Sequence, residues 1–236
     1  ANGGTTSSNT DGSITSTVQV NNTAGFSIVK YTGNNTANAT IGHGLSATPQ
    51  LIISKNLSNG SAYWATYHHS IGITRKFYLN DTSTGDTVSG GWLDVSSTLI
   101  TLKQINANNI NENGSDFINY CFTEVEGFSK FGTYTGNGST DGPIVETGFE
   151  PAFIMTKQTN DVSNWVIVDN KRSTTNPRDK GLRANTNDSE STVGNNMVVD
   201  FLSNGFQLKH SRVANANNGN CLYMAFAADP YTEQPT

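Results

Sequence analysis

The sequence predicts an all-β protein made of two tandem homologous antiparallel β-sandwich modules, jelly-roll-like in outline and with little helix. Three observations support this fold class. The chain repeats itself after about a hundred residues, its composition suits turns and strands, and its apolar runs are short. Together these features indicate a duplicated β-rich module.

The internal repeat is clearest where each copy begins. The segment GFSIVKYTGN at residues 25–34 returns as GFSKFGTYTGN at residues 127–137, an offset of 127 − 25 = 102. Later matches drift from this offset by a few residues, as loop insertions on a shared scaffold would cause. They are Lys55 with Lys157, Trp64 with Trp165, Leu102 with Leu208, and Phe122 with Phe226.

The composition favours a β-rich fold and argues against one class of partner. Charged residues make up 14% of the 236 residues, and the chain has 23 glycines among abundant Asn, Thr and Ser. Asn and Gly tolerate the positive φ of turns, while Thr and aromatic residues suit a pleated sheet. The net charge of −5 argues against nucleic acid as a partner, because duplex binding needs a basic face.

The predicted organisation has four parts. A polar leader with one strand, Ile14 to Val20, covers residues 1–24, module 1 covers 25–126, module 2 covers 127–229, and a tail covers 230–236. The predicted strands lie at residues 25–31, 50–55, 62–69, 75–79, 91–95, 99–103, 116–125, 127–135, 152–157, 164–169, 197–201, 206–209 and 221–227. Asn-Gly pairs such as Asn137-Gly138 supply hairpin turns between them.

Two further features concern burial. The runs at 51–53 and 153–155 are continuously apolar rather than alternating, so we expect these strands to be covered on both faces. Cys121 and Cys221 do not match in the repeat, since Cys121 aligns with Ala225 and Cys221 with Phe117. We therefore expect two separately buried free thiols.

The sequence predicts no enzyme. His68 and His69 are adjacent and are expected on opposite faces of a strand, which argues against a shared metal ion. Asp94 and Asp200 occupy equivalent repeat positions, so they are expected to serve the fold rather than a pair of glycosidase carboxylates. No nucleophile elbow or phosphate-binding glycine loop is present.

One turn resembles a calcium-binding loop. Asp81, Ser83 and Asp86 place oxygen ligands at spaced positions around it, but a bidentate Glu is missing at the usual distance. An ordinary Asn-Asp-Ser-Gly turn is the alternative. Apart from this loop, the sequence predicts no cofactor and no metal.

Two aromatic residues are candidates for stacking on sugars. Trp92 follows Gly90-Gly91 and has no tryptophan partner in the second copy, so its ring is either exposed for stacking or packed at an interface. Tyr63, on the strand face opposite Trp64, is a second candidate. Trp64 and Trp165 match in the repeat and are expected to be core anchors.

The second copy also contains a basic loop. Five of the 14 basic residues fall within it, and they are Lys171, Arg172, Arg178, Lys180 and Arg183. Such a loop could bind phosphate or carboxylate groups of lipopolysaccharide or capsule. The alternative is a solvated loop that Asp169 and Asp179 partly neutralise.

Several segments resemble a known family. They are residues 24–33, 41–45, 120–132 and 200–206, with Tyr-Met-Ala-Phe-Ala at 223–227 followed by Pro230. These segments are similar to a domain that recurs in tail-fibre and related structural proteins of tailed bacteriophages, often phages of marine bacteria. The resemblance covers about residues 5–231, and the run from Tyr120 to Gly132 is its most specific part.

The resemblance implies a virion surface protein that is made in the host cytoplasm and acts in adsorption. We expect a tail-fibre or receptor-binding segment, a homo-oligomer with a trimer favoured, that contacts other virion proteins and binds host polysaccharide or lipopolysaccharide. The chain shows neither a membrane-span-length apolar stretch nor a basic-then-apolar leader. The alternatives are a capsid decoration or head-fibre protein, a polysaccharide depolymerase, and an adhesin of the bacterium itself.

Overall fold

The protein is nearly all β, as the sequence predicts. The computed structural model describes residues 4–105, 107–192 and 197–228. Within these ranges the chain forms antiparallel strands and a single 3-10 turn at Val213–Asn215, with no α-helix. The predicted tail at 230–236 lies outside the described residues.

The chain divides into two compact units. Unit 1 comprises the residues up to 79 together with 85–124, and unit 2 comprises 80–84 together with the residues from 125 onward. The segment 80–84 therefore belongs to the second unit although it lies in the first half of the sequence. No helix among the described residues is long and apolar enough to cross a membrane.

Unit 1 is a sandwich of a large and a small sheet. Its strands are β1 Ser7–Asn9, β2 Ser16–Asn21, β3 Phe26–Thr32, β4 Ala39–Gly42, β5 Leu51–Asn56, β6 Ala65–His68, β7 Arg75–Tyr78, β8 Asp86–Thr87, β9 Leu93–Val95, β10 Leu99–Leu102 and β11 Asp116–Phe122. The large sheet has the order β1-β2-β3-β11-β5-β6-β7-β8, and the small one β4-β10-β9. Val29 and Phe117 of the large sheet share one buried core with Ile41 and Ile100 of the small sheet.

Unit 2 has a similar pair of sheets. Its strands are β12 Ser129–Thr135, β13 Ile144–Glu146, β14 Pro151–Gln158, β15 Val166–Asp169, β16 Lys180–Arg183, β17 Ser191–Thr192, β18 Val199–Leu202, β19 Gly205–Leu208 and β20 Asn220–Ala227. The sheet orders are β12-β20-β14-β15-β16-β17 and β13-β19-β18. Ile154 and Tyr223 of the large sheet share a core with Val199 and Phe206 of the small one.

The two units share their strand order once β1 and β2 are set aside. The order β3-β11-β5-β6-β7-β8 in unit 1 corresponds to β12-β20-β14-β15-β16-β17 in unit 2. The residue register agrees with the sequence repeat: Lys55 lies opposite Ile118 of β11, and Lys157 lies opposite Leu222 of β20. This correspondence is what a tandem duplication would produce, and duplication remains our prediction for its origin.

The leader differs from the sequence-based expectation. It contributes two strands instead of one, and both belong to the large sheet of unit 1, where β2 pairs with β3. Val18 is 4% exposed and lies in the core of unit 1. The short strand β1, with the sequence Ser-Ser-Asn, has no apolar residue, so alternation could not reveal it.

The buried positions confirm one prediction and part of another. Leu51, Ile52 and Ile53 are all buried, as expected for a strand covered on both faces. In the matching run Ile154 and Met155 are buried but Phe153 is half-buried, so for residues 153–155 that expectation is only partly right. Cys121 and Cys221 are both free and buried, on β11 and β20. Burial raises the pKa of the Cys221 thiol to about 11, which keeps it protonated and unreactive at neutral pH.

A buried asparagine braces each unit. In unit 1, Asn111 accepts a hydrogen bond from the backbone N–H of Asn34 at 3.1 Å and donates from Nδ2 to the carbonyl of Thr36 at 3.0 Å. The hydroxyl of Tyr31 donates to the carbonyl of Ile110, the residue before Asn111, at 2.6 Å. These bonds tie the loop after β3 to the segment that precedes β11.

Unit 2 repeats this brace with Asn215. Its Oδ1 accepts from the N–H of Asn137 at 3.0 Å, and its Nδ2 donates to the carbonyls of Ser139 at 2.7 Å and His210 at 2.6 Å. The Tyr134 hydroxyl donates to the carbonyl of Ala214 at 2.8 Å. Both asparagines are 0% exposed, so their bonds satisfy backbone groups that are shielded from water.

Candidate functional site

An open groove on unit 2 is the main candidate for a binding site. It encloses about 830 Å³ and combines an apolar floor with a charged rim. That combination, apolar lining with a few placed polar groups, is typical of small-molecule sites. The lining residues are Ala152, Phe153, Ile167, Asp169, Asn170, Lys171, Arg172, Leu182, Glu190, Ala227 and Ala228.

Strand alternation creates the floor of the groove. On β15, Val166 and Val168 are buried, whereas Ile167 and Asp169 between and beyond them are half-buried. Ile167 pairs with Leu182 of β16, and Asp169 pairs with Phe153 of β14. These outward side chains therefore lie side by side on three neighbouring strands.

Asp169 organises the rim through a turn. Its Oδ1 accepts the backbone N–H groups of Lys171 and Arg172, each at 2.9 Å, and this bonding fixes the path of the chain after β15. Its Oδ2 lies 2.8 Å from Nε of Arg172. One carboxylate thus shapes the loop and also orients the guanidinium.

Glu190 holds the same guanidinium from a second side. Its Oε2 accepts a hydrogen bond from Nη1 of Arg172 at 3.0 Å, so the guanidinium forms ion pairs with two carboxylates. The hydrogen bond to Glu190, together with the charges of Asp169 and Glu190, raises the pKa of Arg172 above its ordinary value. The result is a planar, permanently charged donor group fixed at the edge of the groove.

The basic loop does not form the single cationic surface that the sequence suggested. Arg178 is 6% exposed, and its guanidinium carbon lies 4.6 Å from the centre of the Phe201 ring. Arg183 forms an ion pair with Asp188 at 2.9 Å. Of the five predicted residues, Lys171 and Lys180 are the ones that are exposed, and Lys171 lines the groove.

The predicted neutralising residues are partly right. Asp169 does pair with Arg172, but the Asp179 carboxylate accepts a hydrogen bond from the Ser173 hydroxyl at 3.4 Å. Glu190 and Asp188 supply the other negative charges, and sequence reasoning did not identify either of them. This region therefore has more negative charge than the sequence predicted.

Trp92 is not available at the surface. It is 0% exposed in the core of unit 1, and its Nε1 donates to the carbonyl of Arg75 at 3.2 Å. The prediction of an exposed stacking ring is therefore wrong. The two glycines before it serve the chain turn instead, since Gly90 has φ of 73° and Gly91 has φ of 88°.

The other aromatic candidates have mixed outcomes. Tyr63 is 46% exposed, as predicted, and its ring centre lies 4.8 Å from that of Tyr78 in unit 1. Trp165 is fully buried, as expected for a core anchor, while its counterpart Trp64 is half-buried. Tyr63 is therefore accessible to a ligand, outside the groove.

The candidate calcium residues have local hydrogen-bond partners. Asp81 Oδ1 accepts the N–H groups of Thr82 at 2.6 Å and Ser83 at 3.2 Å, an ordinary turn geometry. Asp86 accepts a hydrogen bond from the Tyr78 hydroxyl. Asp81 and Ser83 belong to unit 2 and Asp86 to unit 1. In the described part of the chain, no three His, Cys, Asp or Glu side chains are grouped to hold a metal ion.

The histidines serve turns. The rings of His68 and His69 lie beside each other at 5.3 Å, so the prediction that they face opposite ways is wrong, because β6 ends at His68. The Nδ1 atoms of His43, His68 and His210 each accept the backbone N–H of the residue two positions on. This arrangement requires a ring whose Nδ1 carries no proton.

We predict a loss of stability in acid from His43. This residue is 0% exposed, and burial lowers its pKa although a bond to the Ser96 carbonyl opposes the shift. The unfolded chain therefore binds more protons than the folded one as the pH falls below about 6.5, so the stability present above that pH is lost. Urea midpoints measured from pH 7.5 to 5 should fall less steeply in His43→Gln than in the wild type. The exposed His69→Gln is the control, and equal slopes in all three proteins would contradict the assignment.

The fold and the groove define the class of this molecule: an all-β protein of two antiparallel sandwich units, the second of which has an open groove of mixed charge. The chain belongs to the family described as domain of unknown function DUF7483, whose model matches residues 1–230. No curated protein and no solved structure matched the chain.

Proposed function

We propose that this protein is a virion structural protein of a tailed bacteriophage, in a tail fibre or receptor-binding segment, and that its unit 2 groove binds a host-surface glycan. The observation that carries the binding proposal is the groove itself, with its apolar floor and the Arg172 guanidinium held by two ion pairs. The phage assignment rests on the sequence resemblance, above all on residues 120–132.

The groove has the features that sugar binding needs. A pyranose ring presents C–H groups that can pack on Phe153, Ile167 and Leu182, and hydroxyls that can bond to the charged rim. An open groove also accommodates an extended chain, whereas a closed pocket accepts a single small molecule. Weak contacts of this kind suit adhesion by many copies, because linkage in an oligomer, for which we favour a trimer, raises avidity.

The groove carboxylates favour binding over cleavage. Hydrolysis of a glycosidic bond uses two carboxyl groups that face each other across the bond. In this groove Asp169 and Glu190 are instead joined to one guanidinium, at 2.8 and 3.0 Å. We therefore propose an adhesin rather than a depolymerase.

Staining of candidate host cells tests this function. The labelled wild-type protein should stain intact cells, and Leu182→Arg should lose at least about tenfold in binding, because a long charged side chain fills the groove floor. The matched control is Leu57→Arg, which makes the same change at a residue of unit 1 that is 52% exposed. Immunogold on virions should mark the tail.

Two results would contradict the proposal. Equal staining by all three proteins would show that the groove is not the site of adhesion. Gold over the capsid, without any staining of cells, would replace the receptor-binding role with a structural coat.

A further inference from the structure

We propose that the groove selects uncharged sugar residues with adjacent hydroxyls, and that the Asp169–Arg172–Glu190 cluster discriminates against acidic glycans. This inference rests on the proposed function and names its ligand class. It departs from the sequence-based expectation, in which a basic loop meets phosphate or carboxylate groups. The reason lies in how the charges on the rim are arranged.

The rim of the groove is electrically balanced. Two positive side chains, Lys171 and Arg172, line it together with two negative ones, Asp169 and Glu190. An incoming carboxylate or phosphate would have to compete with two carboxylates that already hold the guanidinium at 2.8 and 3.0 Å. Like charges placed together in a binding site are unfavourable, so acidic sugars gain little here.

The same cluster suits hydroxyl groups. A sugar hydroxyl both donates and accepts, and two adjacent hydroxyls can bond at once to neighbouring donor and acceptor groups. In the contacts of the described residues, Arg172 uses Nε and Nη1, and Glu190 uses Oε2. The guanidinium also has Nη2 and the carboxylate also has Oε1, so this ion pair offers hydroxyl groups both donors and acceptors at the rim.

The floor adds affinity that does not depend on charge. Phe153, Ile167 and Leu182 are half-buried, so part of each side chain is exposed to the groove. Burial of such apolar surface contributes roughly 25 cal/mol per Å² and is not screened by salt. Binding that relies on this floor and on neutral hydroxyls should therefore depend weakly on ionic strength.

The test uses surface polysaccharide extracted from the host cells that the protein stains. Anion exchange divides the extract into an uncharged fraction and an acidic fraction, and both are titrated with wild-type protein at low and high NaCl. We expect binding to the uncharged fraction, with an affinity that changes less than about twofold between 20 and 500 mM NaCl. Glu190→Gln should lose several-fold in affinity for that fraction and gain affinity for the acidic one, because the rim then has net positive charge.

The control is Glu146→Gln, which removes the same charge from an exposed residue of unit 2 outside the groove lining. Salt-sensitive binding to the acidic fraction alone would overturn the neutral-sugar inference while leaving glycan adhesion intact. Stained cells whose extract yields no binding fraction would overturn both, because the receptor would not be a glycan. If the labelled wild-type protein stained no candidate host cells, the proposed function itself would be contradicted.

Discussion

Replacement of Asn215 by alanine should lower the free energy of unfolding of unit 2 by about 3 to 5 kcal/mol. The side chain is 0% exposed and bonds to three backbone groups, those of Asn137, Ser139 and His210. Alanine leaves these groups without their partner, and a buried polar group without one costs about 1–3 kcal/mol. This is one of the two largest effects that the structure predicts.

Urea denaturation followed by tryptophan fluorescence checks this prediction, since the buried Trp165 reports on unit 2. The control is Asn217→Ala, an exposed position two residues away, which should change stability by less than about 0.5 kcal/mol. If both variants had the same midpoint as the wild type, the brace would contribute nothing to stability. Asn111→Ala should have a comparable effect on unit 1.

The second large effect is expected for Trp92. Its replacement by alanine should lower the free energy of unfolding of unit 1 by about 3–5 kcal/mol, as for other buried aromatic side chains. The ring is 0% exposed in the unit 1 core, and its loss leaves a cavity and removes the bond from Nε1 to the Arg75 carbonyl. Trp92→Phe retains most of the ring and should cost less. Urea midpoints of the two variants measure the difference.

Tyr63 gives the contrasting case for this prediction. It is 46% exposed and packs on Tyr78, so Tyr63→Ala should cost about 1 kcal/mol. Cell staining separates structural from binding roles. If Trp92→Ala were as stable as the wild type but no longer stained cells, Trp92 would be a ligand contact and its assignment to the core would be wrong.

The sequence repeat predicted the fold well because residues that match in the repeat occupy equivalent pairing positions in the two large sheets. A residue that pairs across a strand in one unit has its counterpart at the same pairing position in the other, as Lys55 and Lys157 show opposite Ile118 and Leu222. Alternation located strands with one buried face, such as β3 and β11, and a continuous apolar run located β5. The short strand β17 has only two residues, Ser191 and Thr192, and offers no such pattern.

The two buried asparagines match in the sequence repeat. Asn111 and Asn215 are 104 residues apart, within the drift of the other repeat pairs, and each stands shortly before the last strand of its unit. In a chain so rich in asparagine, however, such a match has little weight by itself. Only the tertiary structure shows that these two are buried and hydrogen-bonded.

The site was predicted less well, because charges are paired across loops. Arg172 and Glu190 are 18 residues apart, and no local pattern relates them. Arg178 appears basic and exposed in sequence but packs on Phe201, since a guanidinium can stack on an aromatic face. Local composition therefore overestimated the positive charge of this region, and the groove itself became visible only through the pairing of β14, β15 and β16.

The most direct test of glycan binding in the unit 2 groove is hydrogen–deuterium exchange of the protein with and without the host polysaccharide. We predict slower exchange confined to the residues that form the floor and the rim, at 152–153, 167, 169–172, 182, 190 and 227–228. Protection of unit 1 alone, or no protection despite measured binding to cells, would contradict the groove as the receptor site.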